Sequence, residues 1–135
     1  DVSREQIEKN VEQASRINCP AQFRTHPAEE WRRSADVVGL LDCIEHTAFP
    51  GDLLEQTEFY VKPGGVVVLT LPNGPWSLHT DNMKNVGAGQ HIAVGNPDPM
   101  IAYLKSRGAT ILGCELLQGD SVKVNQSLCI TYKPC

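Results

Sequence analysis

The amino-acid sequence predicts a three-layer α/β sandwich, because strand and helix patterns alternate along its 135 residues. Residues 36–41 and 66–71 are continuous apolar runs, which are typical of strands covered on both faces. A helical pattern at 51–61 joins the two runs, so the three elements form a βαβ unit. Residues 109–117 and 124–132 are two further strands, and the short turn between them makes the pair antiparallel.

A helix is predicted near the start of the chain. Ser3 is a good N-cap, and Gln6 stands three residues later as its capping-box partner. The Asn-Cys-Pro sequence at 18–20 ends this helix, and residues 21–25 are a short strand candidate. The apolar residues that recur at helical spacing on one face are Ile7, Val11, Ala14 and Ile17.

Glycine and proline mark the turns. The Lys-Pro-Gly-Gly sequence at 62–65 predicts a turn before the second apolar run, since Pro presets one dihedral angle and Gly accepts positive ones. Residues 72–98 are rich in Gly, Asn, Pro and His with little periodicity, which predicts a functional loop. A last helix is predicted over 99–107, capped by Asp98 and ended by Gly108.

Composition and charge narrow the class of protein. Apolar residues make up 41% and charged residues 21%, which is usual for a soluble globular domain. Twelve basic and sixteen acidic residues give a formal net charge of −4. A nucleic-acid partner is therefore disfavoured, because phosphate binding usually needs a basic excess. No apolar stretch approaches the ~20 residues of a membrane span, and no signal peptide is recognised.

The five cysteines lie far apart, at positions 19, 43, 114, 129 and 135. No CxxC pair occurs, so neither a zinc knuckle nor a redox dithiol is indicated. Cys43 falls inside an apolar run and is expected to be a buried, reduced thiol. Because reduced thiols are typical of the cytoplasm, that compartment is the predicted location.

An ordered series of short motifs carries a family resemblance. Asp1 before a helix start, the segment 36–46 with its Glu-His exit, the Pro-Gly-Gly turn at 63–65 and the terminal hairpin occur in this order. The series resembles the class I S-adenosylmethionine-dependent methyltransferases, in particular the ubiquinone-biosynthesis O-methyltransferases. The resemblance covers essentially all 135 residues. It implies a Rossmann-like, mostly parallel sheet in which strand seven lies antiparallel between strands five and six.

The Gly-rich loop that follows strand one in this family is missing, since no GxGxG occurs in the sequence. The resemblance therefore implies that residues 1–135 are one methyltransferase domain that is incomplete at its N-terminus. Roughly forty residues would belong upstream, judged from the ~30-residue size of a βαβ unit. On this expectation the 135 residues alone are not a competent enzyme.

The resemblance also implies residues that bind S-adenosylmethionine. Asp1 stands where strand two ends, and an acid there accepts both ribose hydroxyls. Ala28 and Glu29 follow strand three, and their backbone amides are expected to contact adenine, although the family's Asp is absent at this point. Leu41, at the end of strand four, completes the expected cofactor set. The alternative for Asp1 is an exposed terminal residue without a ligand. The alternative for Ala28 and Glu29 is a solvated acidic turn.

The residues with the most chemistry are Asp42, Glu45 and His46, at a strand end where open α/β sheets bind ligands. Their acid-x-x-Glu-His pattern resembles that of two metal-dependent methyltransferase families. In one of them a His after strand five completes the site, and His91 stands in that region, with His79 as a second option. A candidate Mg²⁺ or Mn²⁺ site is therefore formed by Asp42, Glu45, His46 and His91. The alternative is a metal-free site with His46 and His91 at its mouth.

The predicted activity is methyl transfer from S-adenosylmethionine to an oxygen or nitrogen of a small-molecule or saccharide acceptor. The sulfonium is already activated, so a base is needed only for a hydroxyl acceptor, and His46 or His91 is expected to serve. One alternative is 2′-O-methylation of an RNA terminus, which the net charge disfavours. Another is a non-catalytic, methyltransferase-like scaffold or binding domain.

Overall fold

The computed structural model describes residues 3–24, 29–72, 97–118 and 126–135. The chain divides into two compact units, Asp1–Trp31 and Arg32–Cys135, and each is described by itself. Most of the predicted loop 72–98 and the hairpin turn lie outside the described residues. Within these described ranges, no helix is long and apolar enough to cross a membrane.

The first unit contains helix α1, Arg4–Arg16, where the sequence predicts it. The Ser3 hydroxyl accepts the Gln6 amide hydrogen at 3.3 Å, so the predicted N-cap is confirmed. Asn18 adopts a left-handed φ of 51° just after the helix. The amide of the next residue then donates to the Ala14 carbonyl at 2.8 Å, which ends the helix where predicted.

The short strand predicted at 21–25 is wrong over residues 21–24, which are not part of a strand. An extended segment becomes a strand only when a neighbour supplies its hydrogen bonds, and none of the described strands pairs with this one. Arg24 instead lies 4.8 Å from the centroid of the Trp31 ring and 3.7 Å from the Glu30 carboxylate.

The second unit is built on a four-stranded sheet with the order β1-β2-β4-β3. Its strands are β1 Ala35–Leu41, β2 Val61–Pro72, β3 Thr110–Gln118 and β4 Gln126–Lys133. β1 and β2 are parallel, whereas β4 is antiparallel to β2 and to β3. β4 therefore lies between β2 and β3 in the described sheet. The α/β class is confirmed, but the described sheet is mixed rather than mostly parallel.

Helix α2, Pro50–Glu58, joins β1 to β2, so the predicted βαβ unit is confirmed. A Pro suits the first turn of a helix, where the backbone amide needs no partner within the helix. Leu54 and Thr57 are the buried residues of this helix.

Helix α3, Pro97–Ser106, precedes β3. Gly108 has a φ of 86°, which glycine adopts without a steric penalty. The Ala109 amide then reaches back to the Leu104 carbonyl at 3.1 Å. The prediction that Gly108 ends this helix is confirmed.

The Lys-Pro-Gly-Gly segment is not a separate turn, because it lies inside β2. Between Ala35 and Val37 of β1, the paired residue of β2 jumps from Val61 to Val66. The additional β2 residues form a bulge, and Gly64 has the positive φ, 80°, that the sequence predicts for this segment.

The core lies on one face of the sheet. Three of its β2 residues stand directly opposite three β4 residues, and each of these six is at most 3% exposed. Leu54 of α2 and Leu104 of α3 belong to the same apolar cluster. The six strand residues are Val67, Leu69, Leu71, Leu128, Ile130 and Tyr132.

β1 is less buried than its apolar sequence predicts. Leu40 faces the core and is 8% exposed, but Val37 and Leu41, on the alternate face, are 60% and 57% exposed. The prediction of a strand covered on both faces is therefore wrong for the described residues. β1 is an edge strand of the described sheet, and the core cluster covers one of its faces.

Candidate active site at the carboxyl end of the parallel strands

The predicted site residues of the second unit follow the carboxyl end of β1. Because β1 and β2 are parallel, Leu41 and Thr70 are paired at the same end of the sheet. The carboxyl ends of parallel strands border the crevice in which open α/β sheets bind ligands. Asp42, Glu45 and His46 follow Leu41 directly, so the structure brings these predicted residues to the edge where ligands are expected.

Asp42 turns the chain out of β1. Its φ of 48° is left-handed, a conformation that few residues with a Cβ adopt and that Asp tolerates better than most. The Asp42 amide donates to the Thr70 carbonyl oxygen at 3.1 Å and to the Thr70 hydroxyl oxygen at 3.0 Å. The same hydroxyl donates to Asp42 Oδ1 at 3.2 Å. One residue of β2 therefore holds both the backbone and the carboxylate of Asp42.

The short 3₁₀ helix Ile44–His46 follows this turn. Ile44 and Glu45 are buried, at 3% and 1% exposed, whereas the His46 side chain remains 37% exposed. His46 Nε2 lies 3.7 Å from Glu45 Oε1. The exposed part of the imidazole and the buried carboxyl group therefore lie next to each other in this segment.

Cys43 is exposed, so its predicted burial is wrong. The residue follows the Asp42 turn and therefore lies outside β1. Its Sγ donates to the Leu41 carbonyl oxygen at 3.0 Å. Partial desolvation, and then the charges of Glu45 and Asp42, raise the pKa of the Cys43 thiol. The thiol is protonated at neutral pH and is a poor nucleophile, which argues against covalent chemistry at this position.

The other residues predicted to bind the cofactor or a metal ion lie in the first unit or outside the described residues. Glu29 is exposed in the 3₁₀ helix Glu29–Trp31 of the first unit. Asp1 and Ala28, predicted to bind the cofactor, and His91, predicted as a base or metal ligand, lie outside the described residues. The roles of these residues stay predictions.

The described residues do not fit the predicted metal site. In the part of the chain that the structure describes, no group of three or more His, Cys, Asp or Glu side chains is placed to hold a metal ion. Asp42, Glu45 and His46 therefore do not form such a group by themselves. Asp42 Oδ1 accepts a hydrogen bond from Thr70, and the Glu45 side chain is buried. The contribution of His91 stays a prediction.

Thr70 is the site residue that sequence reasoning misses. It lies in an apolar strand and is only 8% exposed, so its pattern indicates a core position. The sequence shows only a hydroxyl residue between two leucines at the carboxyl end of a strand. Its contact with Asp42 follows from the strand register, which pairs Thr70 with Leu41, the residue before Asp42.

Residues 1–112 match the model of a protein family described as "Methyltransferase domain". No curated protein matches the chain significantly. Among solved structures, the chain is similar to a protein from Pyrococcus horikoshii, with 16% identity and a TM-score of 0.72 over 100% of this chain and 69% of that one.

Two further solved structures are similar to the chain and contain bound ligands. One is the magnesium protoporphyrin IX methyltransferase of Synechocystis with bound SAH (13% identity, TM-score 0.72, 98% of this chain and 60% of that one). The other is the 1,6-didemethyltoxoflavin-N1-methyltransferase of Burkholderia thailandensis, with bound 1,6-didemethyltoxoflavin and S-adenosylhomocysteine (17%, 0.64, 93% and 56%). The chain thus spans less than two thirds of the length of these two enzymes.

Proposed function

We propose that this chain, which belongs to the methyltransferase domain family, forms part of an S-adenosylmethionine-dependent active site that methylates an oxygen or nitrogen of a small-molecule or saccharide acceptor. The observation that supports this best is the segment 41–46 at the carboxyl end of β1. It brings the exposed Leu41 and Asp42 side chains and the partly exposed His46 imidazole to the edge where ligands bind in such sheets, whereas the Glu45 side chain is buried.

The chemistry of this edge fits the cofactor. When bound, S-adenosylmethionine supplies a methyl group on a positively charged sulfonium that is already activated for transfer. The exposed Leu41 side chain offers apolar surface to the adenosine part, and the exposed Asp42 carboxylate gives the edge a negative potential that favours a cation. Asp1, Ala28 and Glu29 are proposed as the remaining cofactor contacts, with Asp1 on the ribose.

His46 is proposed as the base for a hydroxyl acceptor. Its partly exposed imidazole can reach an acceptor in the crevice, and a proton taken from the acceptor places a positive charge 3.7 Å from the Glu45 carboxylate. The carboxylate stabilises that charge and orients the ring. His91 is proposed as a second group at the mouth of the site. An amine acceptor needs no such base in the methyl-transfer step.

A small acceptor agrees with the charge of the chain and with the ligands of similar enzymes. A net charge of −4 does not favour a polyanionic acceptor. By their descriptions, the enzymes in the two ligand-bound structures named above act on magnesium protoporphyrin IX and on 1,6-didemethyltoxoflavin. None of the described residues favours an RNA terminus over a small molecule.

Calorimetric titration of the full-length protein with S-adenosylhomocysteine tests the cofactor part of the proposal. We expect binding at micromolar concentration. A titration without heat, repeated by equilibrium dialysis without retained ligand, would contradict the proposal and favour a scaffold role.

The role of His46 is tested by His46→Gln. Formation of S-adenosylhomocysteine is measured over a panel of phenols, sugars and amines. With hydroxyl acceptors we expect kcat to fall by about 10²-fold or more, because a base in the transition state contributes that much. The affinity for S-adenosylhomocysteine should change little. Lys105→Gln, an exposed change on α3, is the control. An unchanged rate in His46→Gln would remove His46 from the mechanism.

A further inference from the structure

The Thr70 hydroxyl makes two hydrogen bonds with the same residue, Asp42, one as donor and one as acceptor. A hydroxyl has one hydrogen to donate and two lone pairs that accept. The Thr70 hydroxyl donates to Asp42 Oδ1 at 3.2 Å and accepts the Asp42 amide hydrogen at 3.0 Å. The two bonds are compatible with each other, because one uses the hydrogen and the other uses a lone pair. A valine of the same shape would make neither of them.

These bonds act on the one residue where β1 leaves the sheet. Asp42 has the left-handed φ of 48°, which is unfavourable for a residue with a Cβ and needs support from its surroundings. Thr70 is 8% exposed and both bonds are partly buried, so water competes less for its hydroxyl than it would at the surface.

The direction of the turn decides where the following side chains go. Within four residues of Asp42 the chain places Ile44 and Glu45 in the interior and leaves His46 partly exposed. If Asp42 left its left-handed conformation, the peptide bond after Leu41 and the 3₁₀ helix that follows would both change direction. The positions of the site residues that follow Leu41 therefore depend on this turn.

We infer that Thr70 is a positioning residue for methyl transfer: its hydroxyl holds the Asp42 turn and so sets the positions of Leu41 towards the cofactor and His46 towards the acceptor. The inference rests on the proposed function. Thr70 itself is not a catalytic residue, because it acts through Asp42.

Two substitutions at the same position separate the hydroxyl from the shape of the side chain. Thr70→Val keeps the branched shape and removes both bonds, whereas Thr70→Ser keeps the hydroxyl. Thr57→Val is the matched control, because Thr57 is also 8% exposed and its hydroxyl donates only to the Leu53 carbonyl within α2, at 2.8 Å.

The primary measurement is the affinity of each full-length variant for S-adenosylhomocysteine. We expect Thr70→Val to bind about tenfold more weakly, as for the loss of a hydrogen bond to a charged group. Thr70→Ser and Thr57→Val should bind within about twofold of the unmodified protein. Thr70→Ser keeps the hydroxyl, and the Thr57 hydroxyl bonds only within α2. Amide hydrogen exchange at Asp42 should be faster in Thr70→Val, because only the Thr70 carbonyl oxygen then accepts this amide hydrogen, and it should be unchanged in Thr57→Val.

The outcomes distinguish the inference from the proposed function. If the unmodified protein binds S-adenosylhomocysteine and Thr70→Val binds it equally well, the positioning role is overturned and the proposed function stands. If Thr57→Val loses as much affinity as Thr70→Val, the effect is general destabilisation, and the positioning role is again overturned. If the unmodified protein does not bind, the proposed function fails and the inference fails with it.

Discussion

Glu58, Arg107 and Tyr132 form a buried polar cluster that ties α2 and the end of α3 to the sheet. Tyr132 is fully buried, and its hydroxyl donates to Glu58 Oε1 at 2.9 Å. Arg107 Nη2 donates to Glu58 Oε2 at 2.8 Å, and the two side chains are only 22% and 17% exposed. The carboxylate thus has a different partner on each oxygen. Loss of either partner leaves a poorly hydrated charge with fewer hydrogen bonds.

We predict that Tyr132→Phe lowers the free energy of unfolding by about 1.5 kcal/mol at pH 7, the lower end for a hydrogen bond to a charged group, because Arg107 still pairs with Glu58. Glu58→Ala should cost about 3 kcal/mol, because it leaves the Arg107 charge and the Tyr132 hydroxyl without this partner in the interior. Urea denaturation measures both values. Tyr60→Phe, at a partly buried tyrosine outside the cluster, is the control.

The same hydroxyl predicts a pH dependence. Burial, and then the Glu58 charge, raise the pKa of Tyr132 above its ordinary value. The stability from the neutral phenol is therefore fully present below the unfolded-state pKa of about 10, and it is lost as the pH rises above that value. The loss should approach about 1.4 kcal/mol per pH unit from this one group.

The pH dependence is measured by urea denaturation between pH 9 and pH 11. The slope of the free energy against pH should be smaller in Tyr132→Phe than in the unmodified protein. Parallel slopes, or a Tyr132→Phe protein as stable as the unmodified one at pH 7, would refute the reasoning.

Two further predictions concern the β2 bulge and the metal. Gly65→Ala should cost about 3 kcal/mol in urea denaturation, because its Cβ would lie 2.8 Å from the Asp36 carbonyl oxygen, and overpacking of this kind is destabilising. Gly64→Ala should cost only about 1 kcal/mol, since its φ is positive but no atom lies within 4 Å of the new Cβ; equal losses would contradict the clash argument. Methyl transfer should survive EDTA, because the described part of the chain offers no group able to hold a metal ion. Loss of activity in EDTA, restored by Mg²⁺ or Mn²⁺, would contradict this prediction and favour a metal site.

Local sequence signals predict the elements of this protein well, because each signal involves atoms only a few residues apart. Ser3 accepts the Gln6 amide hydrogen within one helical turn, and Gly108 adopts a positive φ wherever the chain goes next. The βαβ unit follows for the same reason, since an apolar run, a helix and a second apolar run dictate a parallel pair. The strand predicted at 21–25 shows the limit, because an extended pattern does not supply its own partner.

The candidate site was predictable in its residue types and not in its geometry. Asp42, Glu45 and His46 attract notice because acids and a His directly follow an apolar strand. Their burial was not predictable: Glu45 is 1% exposed while the side chain of its neighbour His46 is 37% exposed. Cys43 was expected inside and lies outside, because the turn at Asp42 decides which side chains face the protein.

The sequence by itself determined most of the described helices and strands, where α1 and α3 end, and which polar residues stand at the end of β1. The tertiary structure decided the partners of those residues. Thr70 is 28 residues from Asp42, and Tyr132 is 74 residues from Glu58, so neither hydrogen bond leaves a periodic signal in the sequence. Both depend on strand register and helix packing, which arise from the burial of a shared core and not from any local pattern.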